Sequence, residues 1–237
     1  MALATRADGT DRRPSTLSTL WRSTVGKKAV MAVTGAVMLS FLIAHMVGNL
    51  KIFFGPGDFD DYAAWLRTIG KPVLHGAWFL WIMRAGLAAS VVLHAVTAYQ
   101  LSRRDRAARP VGYVHRRQRT SYATRTMRWG GVILGLFIVW HLLDLTALTV
   151  NPRGQEGHPY ENIVADFRNW YADVIYIVAM LALGLHVRHG FLSATRTLGS
   201  DNPRHERVLR FTGEALALLL TAGFVVVPVS VMTGLVS

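Results

Sequence analysis

Four of the nine histidines of this chain stand inside apolar stretches: His45, His94, His141 and His186. An ionisable side chain at such a place defaults to a functional reading. One alone is most simply a neutral imidazole hydrogen-bonded to a neighbouring helix; one on each of four successive stretches is harder to assign to packing. With a helical rise of ~1.5 Å per residue, His45 lies ~26 Å from Lys28 and His141 ~20 Å from Arg128. On the same rise His94 lies ~14 Å from Arg103 and His186 ~15 Å from Arg196. The four thus fall at two levels, His45 with His141 and His94 with His186. Two imidazoles at equal depth on different helices can ligate one haem iron from both faces, and a six-coordinate iron suits electron transfer. Two stacked haems would make a transmembrane electron path. Zinc or copper transport is the rival use of such imidazoles; it calls for acidic or thiol partners at one level, where only Asp144 qualifies. Gly48, Gly86, Gly135 and Gly184 stand near the histidines and would admit a flat macrocycle, though glycine also serves helix packing.

The elements that must carry these rings are long. Of 237 residues, 51% are apolar and 17% charged, against ~25% charged in a soluble domain. Nearly uncharged blocks run at about 29–50, 76–101, 129–150, 171–192 and 211–236, each with the roughly 20 residues that cross a bilayer core as a helix. Val30–Val47 and Ala215–Val229 show no polar stripe, which disfavours buried helices of a soluble protein. The expected fold is an all-α integral membrane protein of five transmembrane helices, a bundle with two haem b between the first four. It comprises an N-terminal segment, 1–28, and one membrane domain, 29–237, without repeats. No cleavable signal is apparent. The absence of cysteine excludes a disulfide scaffold and Cys-ligated zinc or iron–sulfur centres in this chain.

Charge sets the expected orientation. The formal net charge is +12, and 20 of the 26 lysines and arginines lie before the first block, between the second and third, or from Arg188, near the end of the fourth block, up to the fifth. The two opposite loops hold Asp58, Asp60, Asp61, Glu156, Glu161 and Asp166. The positive-inside rule places the N-terminus in the cytoplasm and the C-terminus outside. The basic excess is spent on topology, so nucleic acid is not an expected partner. Phe59–Ile69 and Tyr160–Trp170 are short amphipathic stretches suited to the interface, and Trp78, Trp81, Trp129 and Trp170 fit an aromatic belt.

Several other residues invite assignment. Arg84, ten residues before His94, lies ~15 Å farther out, where an unpaired guanidinium is expensive. Its expected partners are the propionates of an outer haem or Asp144, in a plain ion pair. Asp173 and Glu214 are expected at the interfaces. Trp140, beside His141, could edge a haem or quinone or simply pack.

Taken together, the chain resembles the cytochrome b membrane-anchor subunit of succinate:quinone oxidoreductases, in the single-anchor, five-helix, two-haem type. The resemblance covers nearly the whole chain. It is carried by Ser23-Thr-Val-Gly-Lys-Lys28, Phe41-Leu-Ile-Ala-His-Met-Val-Gly-Asn-Leu50, Gly70-Lys-Pro72, His94, Val139-Trp-His-Leu142 and Pro159-Tyr160. Most specific is Leu183-Gly-Leu-His-Val-Arg-His-Gly-Phe-Leu-Ser-Ala-Thr-Arg-Thr-Leu-Gly199. The resemblance implies a multi-pass subunit of the bacterial inner membrane, anchoring a flavoprotein with FAD and an iron–sulfur protein on the cytoplasmic face, with a higher oligomer of the complex as an option. Electrons from succinate would pass to menaquinone or another quinone. His94 and His186 match the axial pair nearer the iron–sulfur subunit, His45 and His141 the distal pair. His189 belongs to the motif without matching a ligand, and could line the inner haem's propionates or snorkel. Quinone candidates near a haem edge are Trp140, Arg84 and Asp144 on the outer side, and Ser23, Lys27 and Trp21 on the inner. A related fumarate reductase anchor carries glutamates where this chain has Gly184 and, approximately, Thr68, so a proton route through them is not expected. The alternatives are the anchor of a fumarate reductase running from quinol to fumarate, and a haem-free structural anchor.

Overall fold

The computed structural model describes residues 19, 21–108, 118–199 and 203–237, without side-chain detail at 118–125 and 203–204. Most of the N-terminal segment 1–28, with Arg6, Arg12 and Arg13, lies outside the described residues, as do Arg109, Arg116 and Arg117. Seven helices are present and no strand among the described residues: α1 Thr24–Leu50, α2 Pro56–Leu66, α3 Trp78–Ala107, α4 Gln118–His141, α5 Pro159–Asp166, α6 Trp170–Thr197 and α7 Pro203–Met232. A 3₁₀ turn, Lys51–Phe54, extends α1, and a π-helical turn, Leu142–Thr146, extends α4.

Five helices are long and apolar enough to cross a membrane: Thr24–Phe54, Trp78–Ala107, Thr126–Thr146, Trp170–Thr197 and His205–Met232. They exceed the apolar blocks at the ends rich in arginine, where long basic side chains continue a helix beyond the hydrocarbon by reaching into water. Ser23 starts α1, its hydroxyl accepting from Gly26 N at 2.8 Å, which satisfies one orphan donor of the first turn. Pro56 and Pro159 open the short helices α2 and α5, at the position where a missing N–H costs nothing.

Helix α6 is the axis of the bundle. It packs along α7, α4 and α1, while α3 leans chiefly on α1. Of the most apolar window of α6, 44% is buried, against 6% for α3 and for α4, so these two flank the bundle. Gly184 permits the α6–α7 contact: a Cβ there would overlap Thr221 Oγ1 and come within 3.5 Å of Ala217 O.

The two ends differ. At one, which we call the basic end, Arg188 pairs with Glu214 at 2.8 Å, and Glu206 with Arg196 and Arg210 at 3.0 and 2.9 Å. Glu214 is thus half-buried and paired to Arg188. At the other, the capped end, α2 and α5 pack on each other. Tyr160 N donates to Asp60 Oδ1 at 3.0 Å, and the Phe59 and Tyr160 rings meet edge-on at 6.3 Å. Beneath this cap lies a core of Ile52, Phe59, Tyr160, Val164, Phe167, Ala172, Tyr176, Val227, Val231 and Val236. Trp78, Trp81, Trp129 and Trp170 are each more than half exposed on the bundle's surface.

Candidate functional site: two interhelical imidazole pairs

The structure brings the four intramembrane histidines together two by two. His94 of α3 meets His186 of α6 towards the basic end, ring centres 6.2 Å apart and planes at 55°. His45 of α1 meets His141 of α4 towards the capped end, ring centres 5.9 Å apart and planes at 79°. Roughly 2 Å for each metal–imidazole bond and roughly 1 Å from each nitrogen to its ring centre put two facing rings about 6 Å apart. Both pairs have that spacing, and the interplanar angle is free because each ring can turn about its own metal–nitrogen axis.

Hydrogen bonds fix which nitrogen is bare. His94 Nδ1 lies 3.1 Å from Met31 O, a carbonyl that can only accept, so Nδ1 carries the proton. Thr34 Oγ1, 3.2 Å from the same nitrogen, donates to Val30 O at 2.8 Å. His141 Nδ1 lies 3.2 Å from Tyr176 Oη, whose hydrogen goes to Asp144 Oδ2 at 2.8 Å. The tyrosyl oxygen therefore accepts, and His141 Nδ1 donates. In both rings the Nε2 lone pair is left for a metal, the arrangement in which a second group orients an imidazole ligand. His186 Nδ1 is buried without a partner.

The pairs occupy two levels. Gly35 of α1 stands against His94, where a Cβ would lie 3.4 Å from Cε1, and Gly131 of α4 against His186 at 3.8 Å. Gly35 and His45, Gly131 and His141, Tyr176 and His186 are each ten residues apart, a rise of about 15 Å on three helices. The glycines that make room at the basic-end pair are therefore Gly35 and Gly131. Of those expected from sequence, Gly48 backs onto Tyr62 and Gly184 onto α7, serving packing, whereas Gly86 and Gly135 face open space.

Behind His141 lies a buried acidic group. Asp144, Asp166 and Asp173 are 0%, 1% and 3% exposed. Asp173, in the first turn of α6, is thus covered by protein. Burial first, then hydrogen-bonding and like-charge contact with Asp144 and the charge of Asp173, push the Asp166 carboxyl up to about 8. The expected Arg84–Asp144 ion pair does not form. Arg84 is exposed, its guanidinium 5.1 Å from the Trp81 ring centre, because α3 leans on α1 while Asp144 turns inward to α6.

The remaining candidates divide. Trp140 packs against the capped-end core, its Nε1 buried without a partner. Ser23 caps α1. Lys27 is buried, its ammonium hydrogen-bonded to Gln100 and 4.9 Å from the Trp21 ring centre. These residues line a cleft of about 380 Å³ at the basic end with Arg22, Arg103 and Arg104. His189 Nδ1 donates to Leu185 O of its own helix at 2.8 Å, one turn from His186. Sequence reasoning missed Tyr176, Gly35 and Gly131; their one signal is the ten-residue interval shared with the histidines. Comparison with protein-family models, curated proteins and solved structures finds no match to this chain.

Proposed function

We propose that the chain is the membrane-anchor cytochrome b of a succinate:quinone oxidoreductase, holding two haem b groups between α1, α3, α4 and α6. The observation that carries this reading is the pair of matched interhelical imidazole contacts, at 5.9 and 6.2 Å, on two levels of one bundle. His94 and His186 would hold one haem, His45 and His141 the other, and each haem when bound would supply a one-electron iron centre.

The protein's own contribution is positional. Met31 O and Tyr176 hold Nδ1 protons on His94 and His141, and Gly35 and Gly131 leave the basic-end rings room. The basic end faces the cytoplasm, where flavoprotein and iron–sulfur partners dock, and quinone takes the electrons in the membrane, with the basic-end cleft around Lys27 and the capped end around Trp140 and Asp144 as its two candidate sites. Arg84, exposed beside Trp81, would pair with an anionic group such as a haem propionate.

Reduced-minus-oxidised spectra of membranes carrying the chain, with haem quantified per chain, test the reading. Two b-type haems are expected, one lost in His94→Ala or His186→Ala and the other in His45→Ala or His141→Ala, with a flavoprotein co-purifying. Absence of a b-type signal, or a signal indifferent to all four substitutions, overturns it.

A further inference from the structure

The two imidazole pairs are alike in spacing and unlike in what stands behind them. At the basic end His94 Nδ1–H donates to a neutral peptide carbonyl, Met31 O. At the capped end His141 Nδ1–H donates to Tyr176 Oη, and Tyr176 O–H donates to Asp144 Oδ2. A carboxylate group therefore stands two hydrogen bonds from one imidazole pair, with no counterpart among the described residues at the other.

The chain builds this relay from two helices. Tyr176 is 7% exposed; its ring is clamped edge-on between Phe137 at 5.0 Å and Phe167 at 4.8 Å. Asp144 sits in the π turn Leu142–Thr146, where Ala147 N reaches back five residues to Leu142 O at 2.7 Å. His141 is the last residue of the α-helical run. The widened turn thus delivers a carboxyl to Tyr176 while His141 keeps the α-helical register that faces His45. Such turns are frequent at functional sites. No arginine or lysine among the described residues pairs with Asp144, so what its Oδ2 accepts is the tyrosyl hydrogen.

We propose that Tyr176 and Asp144 are positioning residues for His141: they hold its Nδ1 protonated, aim Nε2 at His45, and set the reduction potential of the capped-end haem apart from that of the basic-end haem. The inference rests on the haem reading of the two pairs. Its physical basis is that a hydrogen bond from the far nitrogen to an acceptor backed by a carboxylate raises the imidazole's basicity. A more basic ligand favours the oxidised iron, so the relay lowers the potential at the capped end only.

The test is potentiometric titration of the b-type bands in membranes carrying the full chain with its partners. Removing such a partner typically costs roughly 10–100-fold in metal affinity; where that loss falls on the oxidised form, each tenfold is 59 mV for a one-electron couple. Tyr176→Phe, which keeps the clamped ring, is expected to raise one of the two midpoint potentials by at least that tenfold step and leave the other in place. Asp144→Asn keeps an acceptor for the tyrosyl hydrogen and is expected to move the same potential in the same direction by less. Both haems retained with neither potential moved, or both moved equally, overturns the inference. Should Tyr176→Phe retain no capped-end haem, Asp144→Asn decides by the same criterion. A wild-type chain without b-type bands overturns the functional reading and this inference with it, whereas intact bands with unmoved potentials overturn this inference alone.

Discussion

Gly35 of α1 faces the His94 ring of α3 so closely that a Cβ would stand 3.4 Å from Cε1. Alanine asks the ring to give by no more than a few tenths of an ångström; a longer side chain has no room, because His94 is tethered through Nδ1 to Met31 O on the same helix as Gly35. Gly35→Leu is therefore expected to displace His94 and abolish the basic-end haem while sparing the capped-end one, some 15 Å away along the helices. Haem quantified per chain should fall by half. Gly35→Ala should retain both. Loss of both haems in Gly35→Leu, or of neither, would contradict the assignment of Gly35 to one level.

Gly184 serves a different surface, and its substitution should read out as stability. A Cβ at this position overlaps Thr221 Oγ1 across the α6–α7 contact. Overpacking of this kind costs roughly 1–3 kcal/mol, so Gly184→Ala should lower the thermal unfolding temperature of the detergent-solubilised chain. Thr221 Oγ1 makes only a long bond to Met180 O, at 3.4 Å, so adding Thr221→Ala should recover most of the loss. A double variant no more stable than Gly184→Ala would show that the backbone contact with Ala217 O dominates.

The five spans were legible because apolar blocks of membrane length leave little choice of structure, and the two histidine levels because a helix converts residue number into depth. What hid was local. The block at 129–150 reads as one helix, yet α4 breaks into a π turn after His141, and nothing in Leu142–Thr146 announces the widening. Tyr176 looks like an ordinary aromatic of an apolar span; its role appears only when α6 is laid against α4. Asp173 reads as one more charge near a helix end, and its burial appears only in the folded chain, just as the cap shows only there, its pairing of Tyr160 with Asp60 joining segments a hundred residues apart. Arg84 and Asp144 share a depth and not a face, a distinction that depth alone does not make.

The Asp166 carboxyl, pushed up to about 8 by burial and by the neighbouring Asp144 and Asp173, makes stability depend on pH. In the unfolded chain this group ionises near pH 4; in the folded chain it keeps its proton until about pH 8. Its contribution to folding is fully present below the unfolded value, is lost progressively as pH rises between the two, and is flat above. The unfolding temperature should therefore decline from pH 5 to pH 8. Asp166→Asn, which keeps the shape without a proton to lose, should flatten that decline. An unchanged slope in the variant would mean that another group is responsible.

Orientation can be read directly because the chain has no cysteine, so a single introduced thiol is the only target for a maleimide. Asp61 of α2 and Glu156 of the loop before α5 are exposed at the capped end, and Arg106 at the end of α3 is exposed at the basic end. The positive-inside rule puts the basic end in the cytoplasm. A membrane-impermeant maleimide added to intact cells should then label Asp61→Cys and Glu156→Cys, and should label Arg106→Cys only after the membrane is opened. The reverse pattern would place the capped-end imidazole pair on the cytoplasmic side. The partner-facing surface would then have to be sought on α2 and α5, where Asp58, Asp60, Asp61, Glu156 and Glu161 make the charge acidic and not basic.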